Sequence, residues 1–304
     1  MSIRETLRLA GWSWQKYVLR RRFQRVRVHD FEMYLDLRVP GVSRSLAVHG
    51  TREADKTELM RREVEPGMTC VDLGANIGYY ALLIARLVGP SGRVLCLEPD
   101  PRNLELLRRN VALNGLDDRI EVVGAAASDR SATATMYQAA ASNLTTLVEP
   151  GARHARTSTE ERPLQVQTTS LDDFMEARGK RLNFLRMDIE GYEVDVIRGG
   201  LGTLAASPEP CKILLETHPE MYGPQRDFSE TMRQLMGIGF RPVALVSAAI
   251  QQPEAFARRG YAPREVFHAD GFVRGYYDQV TPEHAIELVM ARPKVVRYLL
   301  LRKQ

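Results

Sequence analysis

The chain of 304 residues is 44% hydrophobic with ordinary glycine and proline content, enough for one large α/β domain and unlike a collagenous or broadly disordered protein. Its three cysteines, Cys70, Cys96 and Cys211, each sit in an apolar run with no CxxC pair or Cys/His cluster, which speaks against a disulfide framework or a zinc site. The net charge of +4 is carried by the ends: residues 1–30 hold eight Arg/Lys against Glu5 and Asp30, residues 291–304 hold five and no acid, and the middle is acidic.

Residues 3–23 have helical spacing and 25–39 alternate as a hairpin does, so residues 1–49 read as a basic N-terminal extension. Residues 53–63 are charged and helix-compatible, and Glu65-Pro66-Gly67 makes a turn. A regular alternation follows. Strands are expected at 69–76, 93–99, 120–128, 182–189, 211–218 and 240–247, and helices at 77–88, 101–114, 193–204 and 227–237. Between them, 132–138 reads as an extra strand, 139–162 as a loop, 164–171 as strand-like and 172–179 as a short helix. The tail reads as a strand at 271–278 and a basic helix from Pro282 to the end. The expected fold is α/β, a doubly wound, mostly parallel sheet over 50–247 with extensions at 1–49 and 248–304. Such sheets bind ligands at the carboxyl ends of their strands, near the switch in strand order.

The first of these strands ends in Val71-Asp72-Leu73-Gly74-Ala75-Asn76-Ile77-Gly78-Tyr79, and the second in Glu98-Pro99. A dinucleotide-binding turn, G-x-G-x-x-G, would need glycine at 74, 76 and 79, where Gly74, Asn76 and Tyr79 stand. The pattern D/E-x-G-x-G/N-x-G of adenosylmethionine sites is matched by Asp72, Gly74, Asn76 and Gly78. Asp72 suits the ammonium of the cofactor's methionine, directly or through water, and Glu98 can accept both ribose hydroxyls. Asn103, early in the helix after Glu98, is a candidate for the ribose or adenine edge, and Ala127-Ser128, ending the third strand, is a candidate adenine contact.

The chain resembles the FkbM family of class I methyltransferases, on VDLGANIGYYALLIA (71–85), LEPDPRNLELLRRNVALNG (97–115), TTSLDDF (168–174), FLRMDIEGYEVDVIRG (184–199) and ILLETHP (213–219), in the family's order. The resemblance implies a Rossmann-like methyltransferase fold, S-adenosyl-L-methionine as methyl donor and a hydroxyl as acceptor, on a small molecule, sugar, glycan or polyketide-like metabolite. Arg186 stands where the family usually has lysine. Tyr192 stands where a small residue is common, which would narrow the acceptor pocket.

Asp188, Glu190, Glu216 and His218 fall together at the ends of the fourth and fifth strands. Three readings stay open there. His218 or Asp188 accepts the hydroxyl proton; Asp188 and Glu216 hold a divalent cation such as magnesium; or Asp188 and Glu190 cap the following helix.

No apolar run reaches the roughly 18–20 residues needed to cross a bilayer, and Arg4, Arg8 and Lys16 interrupt any signal-peptide core. A cytoplasmic protein is expected. Trp12, Trp14, Tyr17 and Phe23 among arginines, and residues 292–303 likewise, read either as helices packed on the domain or as basic amphipathic helices on an anionic membrane. Nucleic acid is a weaker reading, because no RNA-binding motif is present. The competing functions are methylation of a protein or nucleic acid, a nicotinamide-dependent oxidoreductase, and a non-catalytic, membrane-peripheral binding module.

Overall fold

Short runs such as TCVDL and KILLE, apolar on both faces, are buried only inside a sheet covered on two sides. The computed structural model describes residues 3–39, 41–139, 141, 145–148, 162–179 and 181–304. In chain order, helix α1 (Ile3–Ser13) runs into a π-helical turn (Trp14–Val18), followed by the hairpin β1 (Phe23–Val28) and β2 (Phe31–Asp36) and helices α2 (Val42–His49) and α3 (Ala54–Glu63). Then come β3 (Thr69–Leu73), α4 (Tyr79–Val88), β4 (Arg93–Leu97), α5 (Pro101–Leu113), β5 (Ile120–Val123), β6 (Ala126–Ser128), β7 (Ala132–Gln138), β8 (Arg162–Ser170) and α6 (Leu171–Glu176). The remainder is β9 (Phe184–Met187), α7 (Glu193–Arg198), α8 (Leu201–Ala206), β10 (Lys212–Glu216), α9 (Phe228–Gly237), β11 (Phe240–Ser247), α10 (Glu254–Ala257), β12 (Glu265–Ala269), β13 (Phe272–Tyr277), α11 (Pro282–Met290) and β14 (Val296–Lys303).

Among the described residues the central sheet has nine strands in the order β12-β13-β11-β14-β10-β9-β3-β4-β5. The pairings from β10 to β5 are parallel and those from β10 to β12 antiparallel, so seven of the nine strands point one way and only β13 and β14 are reversed. Successive side chains of the inner strands feed two cores. Cys70, Cys96, Phe184 and Leu214 face α4 and α5, while Val71, Leu95, Leu185 and Ile213 face α6, α7, α9 and α11. All three cysteines are buried free thiols. From β3 the chain steps outward to β4 and β5, then returns to the other side of β3 as β9 and β10. The switch in order therefore falls between β3 and β9.

The structure revises three sequence expectations. The strand over 120–128 is two strands in two sheets: β6 pairs with β8 in a separate three-stranded sheet with β7. The helix over 193–204 breaks at Gly199-Gly200, where side chains would press on the Ser128 carbonyl and on Leu171. The third revision is the largest. The basic C-terminal helix stops at Met290, and residues 296–303 form β14 inside the sheet, between β10 and β11. Residues 248–304 thus complete the main sheet rather than extend it. Pro293 and the β-branched pair Val295-Val296 explain the change, since both disfavour a continued helix. Lys303, at the end of β14, turns inward. Lys303 donates to the carbonyls of Leu204, Ala205 and Ser207, closing the C-terminal end of α8.

The hairpin is fixed to α5 by two asparagines one helical turn apart. Asn110 accepts from the Tyr34 amide and donates to the Tyr34 and Ile77 carbonyls; Asn114 does the same for both backbone groups of Glu32. Side-chain amides thereby satisfy an edge strand that would otherwise be bare. The loop expected over 139–162 lies mostly outside the described residues. Among the described residues, no helix is long and apolar enough to cross a membrane.

Candidate active site

Two loops meet at the switch point, Gly74–Gly78 after β3 and Asp188–Tyr192 after β9. Gly74 has φ +76°, and a Cβ there would collide with the Asp188 carbonyl oxygen, so only glycine lets the loops touch. Asn76, also left-handed at φ +52°, donates its amide to Glu98 Oε2 at 2.7 Å. Glu98 Oε1 accepts from the Asp100 amide at 2.9 Å and from Asn103 Nδ2 at 3.4 Å. Glu98 therefore ties the glycine turn to the end of β4. Burial, partly offset by these bonds, pushes its carboxyl up to about 7. Gly78 serves packing instead: at φ +93° a Cβ would lie 2.8 Å from Leu107 Cδ1 on α5.

A cavity of about 750 Å³ opens over these loops. Among the residues expected at the cofactor, Gly74, Ala75, Asn76, Tyr79, Glu98, Pro99, Asn103 and Ala127 line it. Asp188, Glu190, Glu216 and His218 line its other end, together with Tyr192, whose ring lies under the Arg226 guanidinium at 4.6 Å. Asp72, Gly78 and Ser128 are not in its wall. Asp72 is fully buried, and its Oδ1 accepts from Arg186 Nη1 at 3.0 Å. Of the two routes open to Asp72 toward a cofactor ammonium, directly or through water, the direct one is met by Arg186.

Arg186 also donates to the Gly74 carbonyl at 2.9 Å and to Asp188 Oδ2 at 2.6 Å, and its guanidinium stacks 4.6 Å from the Tyr80 ring. A second buried cation meets the same carboxylate. Lys56 Nζ, from α3, lies 2.9 Å from Asp188 Oδ2, 3.1 Å from Glu216 Oε2 and 3.1 Å from Glu53 Oε2. Glu53 further accepts from Tyr80 at 2.6 Å and from Arg297 at 2.8 Å, while Lys294 reaches Glu216 at 3.3 Å. With Arg52 Nη2 3.3 Å from Glu53 Oε1, four carboxylates (Asp72, Glu53, Asp188, Glu216) are thus matched by Arg186, Lys56, Arg52, Arg297 and Lys294. Burial opposes ionisation of Asp188 and Glu216, but Lys56 above all holds both below the usual carboxylate range.

This arrangement bears on the divalent-cation reading. Glu53, Asp188 and Glu216 offer three oxygens close enough to share an ion, but the Lys56 ammonium already stands among them. A second grouping is Asp188, Glu190 and His218. His218 donates Nδ1–H to Glu193 at 2.8 Å, and its Nε2 lies 3.5 Å from Glu190. Burial pulls the imidazole down, but Glu193 and then Glu190 more than offset it and raise it to about 9. Metal ligation needs the neutral ring.

The same facts revise the expected proton acceptors. A pKa raised to about 9 favours the protonated form of His218, which leaves it poorly suited to accept a proton, and Asp188 Oδ2 is bonded to two cations. Glu190 differs. Burial, opposed by His218 and reinforced by Asp188 and Glu216, pushes its carboxyl to about 7. It sits at φ +52°, a conformation glutamate rarely adopts, with its carbonyl accepting from Thr146 Oγ1 at 2.9 Å. Strain of this kind costs about 1–3 kcal/mol and is retained where the surroundings enforce it.

Sequence reasoning missed Lys56, Glu53, Arg52, Lys294 and Arg297. For Lys56 there was a signal: it lies three and four residues before Leu59 and Met60, on the buried face of α3. Lys294 and Arg297 were hidden by the assignment of their segment to a surface helix.

The description "Methyltransferase FkbM domain" matches residues 72–242, more than half of the chain, and the protein belongs to this family. Similar proteins include Methyltransferase 1 of Beauveria bassiana, 30% identical over 142 residues (42% of this chain, 57% of that protein). The 2-O-methyltransferase NoeI of Sinorhizobium fredii is 30% identical over 150 residues (46% and 60%). The catechol O-methyltransferase of Sus scrofa is 36% identical over 84 residues (27% and 45%). The chain spans less than two thirds of the length of each of these relatives. The solved O-methyltransferase from Bacillus cereus in complex with SAH superposes with a TM-score of 0.41 at 11% identity, covering 84% of this chain and 82% of that one.

Proposed function

We propose that this chain transfers a methyl group from S-adenosylmethionine to a hydroxyl oxygen of a small molecule or sugar, with Glu190 taking the hydroxyl proton. The observation that carries the reading is one cavity with a carboxylate at each end, Glu98 at the end of β4 and Glu190 in the loop after β9. Family membership supports the methyl transfer, and the names of two relatives, a 2-O-methyltransferase and a catechol O-methyltransferase, support a hydroxyl acceptor.

The residues present fit the donor. A carboxylate has about four lone-pair positions, and the three hydrogen bonds that Glu98 accepts from Asn76, Asp100 and Asn103 leave room to accept from a ribose hydroxyl. Pro99, Ala127 and Met136 form an apolar wall suited to a purine ring, with Asn103 nearby. The volume lies within the roughly 300–1,000 Å³ usual for ligand sites. When bound, the donor supplies a methyl group already activated on a sulfonium.

The protein's own work is alignment and one proton transfer. The Arg186–Asp188–Lys56 network fixes the loop that carries Glu190, so the base is held in place before the acceptor arrives. A base near neutrality is matched to proton transfer at physiological pH. As the oxygen–methyl bond forms and the sulfonium's carbon–sulfur bond breaks, leaving a neutral thioether, the hydroxyl proton passes to Glu190, whose ionised form the neighbouring His218 favours against burial. Tyr192 borders the acceptor end and limits its width.

The test is calorimetry with S-adenosylmethionine and NAD, then labelled-methyl turnover on a panel of hydroxylated acceptors. Wild type should bind the sulfonium and not NAD, and Glu190→Gln should bind it equally while losing roughly 100-fold or more in turnover. Absence of binding, or full turnover by Glu190→Gln, would refute the reading.

A further inference from the structure

Among the described residues, a large apolar surface near the N-terminus has no partner. Of the eight well-exposed large hydrophobic side chains among the described residues, five lie between residues 7 and 19: Leu7, Trp14, Tyr17, Val18 and Leu19. Leu7 is 68% exposed, Trp14 57% and Tyr17 67%. Leu7, Trp14 and Val18 follow at seven and four residues, with Gly11 between, and so share one side of the helical segment. The opposite side is committed to the domain. Leu9 and Trp12 pack into the core, and Arg8 donates to the His49 carbonyl at 2.9 Å.

The charges around this stripe are of one sign. Among the described residues no carboxylate pairs with Lys16, Arg20 or Arg21, and Arg20 and Arg21 are exposed. Farther along, by contrast, Arg22 is matched by Asp36 and Glu105, and Arg25 by Glu32. The uncompensated cations therefore border the apolar stripe. Lys16 lies over the Trp12 and Tyr17 rings at 4.7 and 5.2 Å, its stem along apolar surface.

We infer that this face docks on an anionic lipid surface, with Leu7, Trp14 and Val18 entering the headgroup–acyl boundary and Lys16, Arg20 and Arg21 meeting the lipid phosphates. Charge complementarity selects this occupant. A second copy seated across a two-fold axis would bring identical cation sets together. A nucleic acid would satisfy the cations but leave the aliphatic stripe in water. A membrane interface meets both demands at once. The basic C-terminal segment does not join in, because β14 is buried. Helix α1 packs against α2, whose first residue, Val42, lies in the cavity wall.

The experiment uses the whole chain with phosphatidylcholine vesicles, with and without phosphatidylglycerol. Expected are co-sedimentation with the anionic vesicles only, weaker binding as salt rises, and a blue shift of Trp14 emission. The pair Trp14→Ser/Val18→Ser should lower the bound fraction roughly tenfold with an unchanged thermal midpoint, and Arg20→Glu/Arg21→Glu should remove the preference for anionic lipid. Failure to bind anionic vesicles, or equal binding by the serine pair, overturns the inference. So does a concentration-dependent dimer, or RNA binding, that the same substitutions abolish in place of lipid binding.

Discussion

Lys56 Nζ stands 2.9 Å from Asp188 Oδ2, with Glu216 and Glu53 each 3.1 Å away, and so occupies the position a divalent cation would take between these acids. Turnover should therefore be unchanged by chelator. Lys56→Ala should leave three facing carboxylates in a buried site and cost about 3–5 kcal/mol of stability. Magnesium should restore part of that loss in the variant and none in wild type. Denaturant titrations with and without the ion measure both effects, and chelator-sensitive wild-type turnover would contradict this assignment.

Asp72 and Glu98 should separate by phenotype. Asp72 only supports Arg186, so Asp72→Ala leaves a buried guanidinium short of its partner and should lower stability by about 3 kcal/mol or more. Glu98 borders the cavity, so Glu98→Gln should weaken donor binding roughly tenfold, the loss of a charge-assisted bond. Calorimetry beside thermal melts distinguishes the two. Equal effects of both substitutions on both readouts would remove the distinction.

Turnover at saturating donor should rise with pH to a plateau above a midpoint of about 7, reporting Glu190. The lower arm disappears in Glu190→Gln. Saturation matters because Glu98 also titrates at about 7 and acts through donor binding.

His218 gives a stability signature of definite sign. Its folded pKa of about 9 lies above the ordinary 6.5. Its contribution is therefore complete below pH 6.5 and lost as pH rises through 9, to a total of about 3 kcal/mol. His218→Gln should flatten the fall in stability over that window. An unchanged pH–stability curve would show that the imidazolium is not held by Glu193 and Glu190.

Gly74→Ala tests the meeting of the two loops. It adds strain at φ +76° and a collision with the Asp188 carbonyl. A loss of about 2 kcal/mol or more is expected, together with reduced turnover, read by denaturation and assay.

The parallel half of the sheet was legible because its signals are local. TCVDL and RVLCL are long enough to be strands and too short to be helices, and Gly89 and Gly115 mark where helices stop. Glu98 and Glu190 could likewise be placed from their positions at strand ends. What escaped depends on partners distant in sequence. Asp72 reads as a ligand contact until Arg186, 114 residues later, is seen to cover it. Lys56 looks like a solvated charge until three acids surround it. Arg297 and Lys303 look amphipathic by period, and only insertion of β14 between two other strands turns them inward. Buried charge is matched in space: spacing within α3 could turn Lys56 inward, but it could not name the three acids that meet it there.

The insertion of β14 has a consequence for biogenesis. On the ribosome, β10 and β11 are made long before the strand that joins them, and each keeps an unsatisfied inner edge until residues 296–303 emerge. Cleavage after residue 290 would therefore split the sheet down its middle rather than trim its rim, and would remove Lys294 and Arg297 from the cavity in the same cut.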